Sequence, residues 1–230
     1  MDGSSGKIVV SRDGPYVVTG RIPLSIQTII AAKNGDSLEW SQGRVFETRF
    51  VYKLCRCGHS SRKPFCDDTH LKIRFDGKET ATRAAQAEQA KTYDGPTLTL
   101  GDAKELCASA RFCHPGGQIW SLVERSEDPE ARELAIREAR YCPSGRLVLY
   151  DKKKGEGTES PLPPSIAVVE DPAIECSGPL WVRGGIRVES EDGTPYERRN
   201  RVTLCRCGRS ENKPFCDGSH VDVKFTDGLT

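Results

Sequence analysis

The sequence contains no long hydrophobic run. Its most apolar stretch, IPLSIQTIIAA (22–32), is short and interrupted by polar residues, whereas about 20 consecutive apolar residues are needed to cross a bilayer. The N-terminal MDGSSGKIVV has neither the basic start nor the apolar core of a secretory signal. We therefore expect a soluble, cytoplasmic protein that has no membrane partner.

An excess of charge of one sign is also lacking. The 34 basic and 33 acidic side chains give a net charge of +1, which provides no global field to attract nucleic acid. Histidine occurs only four times, and no histidine stands beside serine or aspartate in an arrangement typical of a catalytic triad. A Gly-rich dinucleotide fingerprint is absent as well. We expect no nucleic-acid partner and no enzyme activity of the chain on its own.

Cysteine, by contrast, is abundant and patterned. The chain has ten cysteines, and in a reducing cytosol such clusters bind metal or catalyse reactions more often than they form disulfides. The segment LCRCGHSSRKPFCDDTH (54–70) recurs as LCRCGRSENKPFCDGSH (204–220), with twelve of seventeen positions identical. Metal binding is therefore the leading hypothesis.

The repeat extends beyond the cysteines. DGPYVVTGRIPL (13–24) aligns without a gap to SGPLWVRGGIRV (177–188), and both predict strands after a Gly-Pro turn. The alternating LKIRF (71–75) and VDVKF (221–225) predict a half-buried strand after each cysteine cluster. An insertion around SIQTIIAAKNGDSLEW (25–40) occurs in the first copy only, where we predict a loop or short helix.

A different segment separates the copies. We place the boundaries at 1–78 for the first module, 79–160 for the middle segment and 161–230 for the second module. ETATRAAQAEQAK (79–91) and DKKKGEGTESPLPP (151–164) have the composition of linkers. SEDPEARELAIREARYC predicts a helix with Ser126 as N-cap. Its core-facing stripe comprises Ala131, Leu134, Ala135, Ala139 and Cys142.

The first cysteine cluster brings four metal ligands together. In an extended segment the sulfurs of Cys55 and Cys57 point to the same side, and His70 lies one helical turn after Cys66. Zinc accepts three thiolates and one imidazole in a tetrahedral site, so a structural zinc site is one interpretation. The same four ligands also allow a pair of irons with two ligands on each iron.

The second copy spells out a longer motif. CRCGRSENKPFCDGSH (205–220) follows the pattern C-x-C-x2-S-x3-P-x-C-D-G-S-H and resembles the CDGSH iron–sulfur family. This resemblance implies one 2Fe–2S cluster in each copy, two in all. The implied ligands are Cys55, Cys57, Cys66 and His70 in the first copy, and Cys205, Cys207, Cys216 and His220 in the second.

The first copy keeps every ligand position but has Asp68 where the family has glycine. A glycine there indicates a positive φ, which costs other residues roughly 1–2 kcal/mol. We predict a first cluster that forms but is the less stable of the two. Neighbouring residues receive roles too: Asp67 and Asp217 as helix caps, Ser60 and Ser210 as donors to sulfur, Lys63 and Lys213 as counter-charges, and Phe65 and Phe215 as shields.

Function follows from this ligand set. One histidine among three thiolates places the potential between about −400 mV for four-cysteine ferredoxins and about −150 to +300 mV for Rieske centres. The histidine also makes the cluster sensitive to acid. We predict electron transfer, cluster transfer or redox sensing, with redox or cluster-acceptor proteins as partners. The alternatives are a zinc-bound structural or interaction module and a redox subunit of a larger enzyme.

For the fold we predict a β-rich α+β protein. Family members with a single motif form homodimers, so the two CDGSH-type modules of this chain would pack as an internal pseudo-dimer in a monomer. Each module comprises a β-cap, a cluster-binding loop and a short helix, and the middle segment is helical.

A third cysteine group lies in the middle segment. Cys107, Cys113 and Cys142 resemble those of divergent single-cluster ferredoxin-like segments, but a 4Fe–4S cluster usually uses four cysteines. His114 or Cys176 would complete the set. Buried thiols beneath the 127–141 helix and a Cys107–Cys113 bridge are the alternatives, and we do not count the three cysteines as ligands.

Overall fold

The computed structural model describes residues 6–229 and is rich in β-structure. Its strands are β1 (Lys7–Val10), β2 (Tyr16–Thr19), β3 (Leu24–Ala31), β4 (Ser37–Phe46), β5 (Val51–Leu54), β6 (Lys91–Asp94), β7 (Leu98–Asp102), β8 (Leu147–Asp151), β9 (Glu156–Gly157), β10 (Ser165–Asp171), β11 (Cys176–Arg183), β12 (Arg187–Ser190) and β13 (Arg201–Leu204). The α-helices are α1 (Thr69–Lys72), α2 (Gln86–Gln89), α3 (Ile119–Glu124), α4 (Pro129–Tyr141) and α5 (Ser219–Asp222). The predicted β-rich α+β class is confirmed.

The strands form three sheets. Their orders are β12-β1-β2-β5, β13-β11-β10-β3-β4 and β6-β7-β8-β9. The first two sheets both combine strands from the two ends of the chain, because β1 lies parallel to β12 and β3 lies parallel to β10. The third sheet lies entirely within the middle segment.

One hydrophobic core joins the two mixed sheets. Alternation along β1 and β2 turns Ile8, Val10, Tyr16 and Val18 inward, and all four are fully buried. Residues from the other end of the chain, such as Ile166, enter the same core. At roughly 1.5–3 kcal/mol for each fully buried large apolar side chain, this shared core stabilises both ends of the chain together.

The insertion at 25–40 forms a β-hairpin, so the prediction of a loop or short helix was wrong. Strands β3 and β4 pair antiparallel, and the turn between them contains Asn34 and Gly35, the latter with φ 88°. On its other side β3 pairs with β10. Sequence alone did not reveal this partner, which lies more than a hundred residues away.

The segments 71–75 and 221–225 are not strands either. Each begins in a short helix, α1 or α5, and then turns through a left-handed residue, Arg74 or Lys224. The side chain of Leu71 is 69% exposed and that of Ile73 is 44% exposed, so the alternating pattern does not correspond to burial. The short helices α1 and α5, in which these segments begin, instead contain His70 and His220.

In the middle segment, α4 begins two residues later than predicted. Asp128 is its N-cap and accepts a hydrogen bond from Glu130 N, with Pro129 at the first helical position. Ser126 is buried and accepts hydrogen bonds from Thr97 N and Leu98 N instead. The predicted stripe is core, since Ala131, Ala135 and Ala139 are buried while Leu134 and Cys142 pack against them.

The two predicted linkers are partly ordered by contacts with their neighbours. Residues 79–91 include α2, and Thr80 N and Ala81 N both donate to Lys213 O in the second cysteine loop. Residues 151–164 include β9, which pairs with β8. Within the described part of the chain, none of the helices combines the length and the hydrophobicity that a membrane-spanning helix needs.

Candidate metal centres

Each cysteine loop starts where a strand ends, β5 for the first and β13 for the second. The loop folds back so that Cys55 N donates to Pro64 O at 2.8 Å and Cys66 N donates to Lys53 O at 3.0 Å. The second loop repeats this pattern, with Cys205 N to Pro214 O at 2.8 Å and Cys216 N to Thr203 O at 2.9 Å. These backbone bonds bring the third cysteine next to the C-x-C pair.

The four predicted ligand residues of each loop form two pairs. Cys55 Sγ lies 3.8 Å from Cys57 Sγ, and Cys66 Sγ lies 3.4 Å from His70 Nδ1. The matching distances in the second loop are 3.6 Å and 3.4 Å. Two donor atoms about 2.3 Å from one tetrahedral metal lie roughly 3.7 Å apart. Each pair is therefore spaced to bind one metal atom.

The two pairs do not converge on a single point. Across residues 6–229, the only group of three metal-ligating residues whose ligand atoms all lie within 4.8 Å of one another is Cys66, Asp68 and His70. A single zinc would draw all four ligand atoms of a loop to about 3.8 Å or less from one another. The donor arrangement thus fits a pair of irons better than one zinc ion.

Hydrogen bonds prepare one thiolate in each loop. The hydrogen bond from Cys57, assisted by the backbone N–H groups of Ser60 and Gly58, lowers the pKa of Cys55 to about 6 against the raising effect of burial. The pKa of Cys205 is likewise lowered to about 6, chiefly by its hydrogen bond with Cys207. Thiolates are the metal-binding form of cysteine, so each loop presents a ligand in the required charge state.

Burial acts in the opposite direction on the third cysteine of each loop. It raises the pKa of Cys66, and it raises the pKa of the more deeply buried Cys216 well above the usual range. Burial also lowers the pKa of His220 to about 4, which favours the neutral imidazole that a metal needs.

The N-cap residues of α1 and α5 are Asp68 and Gly218, but the predicted Asp67 and Asp217 accept hydrogen bonds from the first N–H of each helix. Asp67 accepts hydrogen bonds from Thr69 N and Ser61 N. The side chains of Thr69 and Ser61, followed by these backbone bonds, hold the pKa of its carboxyl well below its usual range. Asp217 makes the same contacts with Ser219 N and Glu211 N. Each aspartate thereby ties the start of the histidine helix to the loop.

The serines do not donate to sulfur as predicted. Ser60 Oγ donates to Phe65 O and Ser210 Oγ donates to Phe215 O, because these carbonyls lie within the same tight loop. Lys63 Nζ and Lys213 Nζ donate to the backbone oxygens of the same two serines. Phe65 and Phe215 pack against the shared core. The shielding role predicted for these phenylalanines and the charge-balancing role predicted for Lys63 and Lys213 stay predictions.

The backbone at position 68 has the predicted conformation. Asp68 has φ 63°, and Gly218 at the matching position has φ 94°. The exposed Asp68 carboxylate lies 3.9 Å from Cys66 Sγ, which adds a negative charge beside this ligand. No comparable group exists at Gly218.

The two loops lie back to back, a contact that sequence reasoning missed. A Cβ atom on Gly58 would lie 2.5 Å from Cys207 O, and one on Gly208 would lie 2.6 Å from Cys57 O. Both glycines also have positive φ values, 79° and 78°. In the sequence, the glycine after each C-R-C could have indicated this close approach of the two loops. In addition, Tyr16 Oη donates to Cys205 O at 2.7 Å, linking the first repeat to the second loop.

Within residues 6–229, the middle segment packs on the second loop, and no hydrogen bond joins it to the first loop. A Cβ atom on Gly218 would collide with Ser109 Oγ, and Asn212 Nδ2 donates to Glu105 O at 2.9 Å. Cys216 is consequently 2% exposed, whereas Cys66 is only partly buried. The two centres therefore differ in their access to solvent.

The three middle cysteines line one small cavity of about 20 Å³ together with Arg111 and Arg146. All three thiols are free, so the Cys107–Cys113 bridge is not formed. His114 is outside this cavity, with Nδ1 3.7 Å from Asp36 Oδ1. Cys176 lies behind the second loop, where its Sγ is 3.2 Å from His220 O. Neither predicted fourth ligand reaches the cavity.

Family models match both ends of the chain. The model described as "Iron-binding zinc finger CDGSH type" matches residues 13–71 and 177–221, the two regions that contain the ligand pairs. Residues 13–71 and 177–221 are therefore similar to the CDGSH iron–sulfur family, and we refer to these two regions as the CDGSH domains. The predicted recognition of this family is confirmed, and the two CDGSH domains indicate iron–sulfur binding.

A second model, "Divergent 4Fe-4S mono-cluster", matches residues 93–152 and so includes Cys107, Cys113 and Cys142. It names a larger cluster than the two-iron clusters predicted for the CDGSH domains, and it concerns different residues. No curated protein and no solved structure matches the chain.

Proposed function

We propose that each CDGSH domain holds one 2Fe–2S cluster and that the chain transfers electrons or whole clusters, or senses redox state. The proposed ligands are Cys55, Cys57, Cys66 and His70 for the first cluster, and Cys205, Cys207, Cys216 and His220 for the second. The observation that carries the proposal is the grouping of each set into two separate ligand pairs. When bound, a 2Fe–2S cluster accepts and returns one electron.

The chain's own residues make this centre suitable for exchange. The C-x-C pair is buried next to Leu54 of the shared core, and His70 on α1 is buried as well, while Cys66 is only partly buried. One histidine in each set gives a ligand that acid can displace. We infer redox proteins or cluster acceptors in the cytoplasm as partners, and a monomer in which the two CDGSH domains form an internal pseudo-dimer.

Metal analysis with an optical spectrum tests this proposal. Anaerobically purified protein should be coloured, and the two CDGSH domains should contribute four irons and four sulfides per chain. Two zinc ions per chain without sulfide would instead support the structural zinc module. Copurification with a flavin- or nicotinamide-dependent chain would favour the redox-subunit alternative.

A ligand exchange tests the role of the histidines. The double variant His70→Cys and His220→Cys should keep both clusters but lose their acid lability, because thiolate replaces the titratable imidazole. The measurement is the rate of colour loss at about pH 5, compared with the wild type. An unchanged rate would contradict this mechanism.

The middle segment is a second candidate centre. The match to a 4Fe–4S family and the position of Cys107, Cys113 and Cys142 around one cavity favour it over plain buried thiols. The cavity of about 20 Å³ has room for about one water, so the three cysteines would have to move apart to hold a 4Fe–4S cluster. An iron content above four per chain supports this centre, and the variant Cys113→Ser should then bring the content back to four. A wild-type content of four irons would contradict it.

A further inference from the structure

Each C-x-C segment holds an arginine between its two cysteines. Arg56 is 2% exposed and Arg206 is 3% exposed, which is rare for this residue type. Arg56 donates to backbone oxygens of Ser11 and Gly77, and Arg206 donates to those of Gly178 and Val169, so each guanidinium is held by segments outside its own loop. A positive charge is thus buried one residue away from both cysteines of each C-x-C pair.

Arg206 is neutralised by buried carboxylates. Arg206 Nη2 lies 2.8 Å from Glu170 Oε1, and Nη1 contacts Asp227 Oδ2. Arg206 holds the pKa of Asp227 below its ordinary value against the effect of burial. Burial raises the pKa of Glu170 to about 7, so this carboxylate carries part of a further negative charge at neutral pH. Around Arg206 the net charge is zero or negative.

Arg56 has no such partner among residues 6–229. Its guanidinium donates to Ser11 O at 2.9 Å and to Gly77 O, and it forms no ion pair within 4.0 Å. The carboxylate of Asp13 lies in the same region but accepts a hydrogen bond from Gly77 N at 2.8 Å instead of pairing with Arg56. Gly77 follows Phe75 by two residues, as Asp227 follows Phe225. A Cβ atom on Gly77 would lie 2.7 Å from Arg56 Nη1, so this position faces the guanidinium but supplies no carboxylate.

The remaining charges of the two loops balance. The first loop has three basic and two acidic side chains, Arg56, Arg62, Lys63, Asp67 and Asp68. The second has the same numbers, Arg206, Arg209, Lys213, Glu211 and Asp217. The charges that differ in position between the loops are all exposed and therefore screened by solvent and salt. Among them, the Asp68 carboxylate, 3.9 Å from Cys66 Sγ, acts against electron uptake at the first loop, and its exposure weakens this effect relative to that of buried carboxylates. The buried partners of Arg206 are the main electrostatic difference.

We propose that the first loop is the stronger electron acceptor and that Arg56, Glu170 and Asp227 set this order. This inference rests on the proposed function. Reduction adds one negative charge to a cluster, which an unneutralised buried cation stabilises and a neutralised one does not. In the internal step one electron leaves the reduced second centre and enters the oxidised first centre. The contact between the C-x-C backbones at Gly58 and Gly208 gives the two centres a short route.

The proposed order of potentials places the electron at the more exposed of the two centres. The second loop is covered by the middle segment, whereas Cys66 and Asp68 of the first loop face solvent. An electron shared by the two centres therefore resides at the exposed one. The partner that this edge fits is a protein that accepts single electrons at the first loop.

An anaerobic redox titration of the full chain, followed by visible absorption, tests the proposal. His70→Cys and His220→Cys each lower the potential of their own centre and so assign the two waves. We expect the reduction potential of the first-loop centre to exceed that of the second-loop centre by about 59 mV or more. For one electron, this difference corresponds to an occupancy of the first centre that is at least about tenfold higher. Asp227→Asn should raise the second-loop potential and leave the first-loop potential in place.

Two further variants make the result decisive. Glu170→Gln should shift the second-loop potential in the same direction and serves if Asp227→Asn loses its cluster. Asp151→Asn is the matched control, because this buried carboxylate pairs with Arg132 in the middle segment, and neither wave should move. Equal potentials, a higher second-loop potential, or a first-loop shift in Asp227→Asn would overturn the proposal. Zinc-loaded protein without any wave would overturn the proposed function itself.

Discussion

Position 68 is a single-residue difference between the two CDGSH domains. Asp68 adopts φ 63° without a glycine, which costs on the order of 1 kcal/mol, and its carboxylate adds negative charge near Cys66. We predict that Asp68→Gly slows the loss of the first cluster several-fold. The measurement is the decay of the first-loop absorption in the presence of an iron chelator.

Gly218→Asp is the companion variant. It introduces the same strain and also a collision with Ser109 Oγ, so the second cluster should be lost faster than in the wild type. The change in its loss rate should be larger than the change that Asp68→Gly causes at the first cluster. Faster decay in Asp68→Gly would show that the carboxylate supports the first centre.

Glu138 is a buried carboxylate without a hydrogen-bond partner in the described part of the chain. Burial raises its pKa to about 8, so the folded state binds more protons than the unfolded state between about pH 4.5 and pH 8. The free energy of unfolding should therefore fall as pH rises through this window, by about 3 to 5 kcal/mol at most.

Glu138→Gln tests this sign. The variant should match the wild type near pH 5 and exceed its stability at pH 9, measured by urea denaturation of metal-free protein. Parallel pH curves for the two proteins would mean that Glu138 is neutralised in another way.

The roles of individual residues could be predicted where a local sequence pattern indicated the chemistry. The eight proposed ligand positions were implied by one motif and its family resemblance, and the structure brings them together in pairs. The positive φ at position 68 was predicted from a missing glycine. The partners of Arg206 could not be predicted, because Glu170 lies 36 residues before it and Asp227 lies 21 residues after it. Such pairs exist only once the strands are assembled.

At the scale of elements, the β3–β4 hairpin fastens the middle segment to the sheets. Trp40 on β4 lies 4.7 Å from the ring centres of both Phe112 and Trp181, and its indole N–H donates to Tyr141 O at 3.1 Å. Trp40→Ala should lower the free energy of unfolding by about 3 kcal/mol. The measurement is chemical denaturation of the metal-free protein.

Leu38→Ala gives the matched control on the same strand. Leu38 is 37% exposed, so its removal should cost well below 1 kcal/mol. Equal costs at both positions would mean that the hairpin does not fasten the middle segment through Trp40.

Elements could be predicted where a strand follows a turn and alternates, as at 13–24, where β2 follows Gly14 and Pro15. At 177–188 strands form as predicted, but Gly178 and Pro179 lie inside β11 instead of in a turn, and β11 is buried along nearly its whole length. The same reasoning was wrong at 71–75, because alternation there reflects a helix that exposes Leu71 and Ile73. It was also wrong at 25–40, because the strand that β3 needs as a neighbour, β10, comes from the far end of the chain. Long-range pairing decided both the hairpin and the sheet order.

At the scale of the whole molecule, the two CDGSH domains depend on each other. The fragment 1–78 lacks β12 and β10, which pair with its strands β1 and β3, and it lacks half of the shared core. We predict that this fragment alone shows no cooperative thermal transition and retains no iron. Co-expression with 79–230 should restore both, because the missing strands are then supplied. A fragment that melts cooperatively as a monomer would show that the pairing of β1 with β12 and of β3 with β10 is dispensable for folding. The proposed difference in potential between the two centres would then need another structural basis.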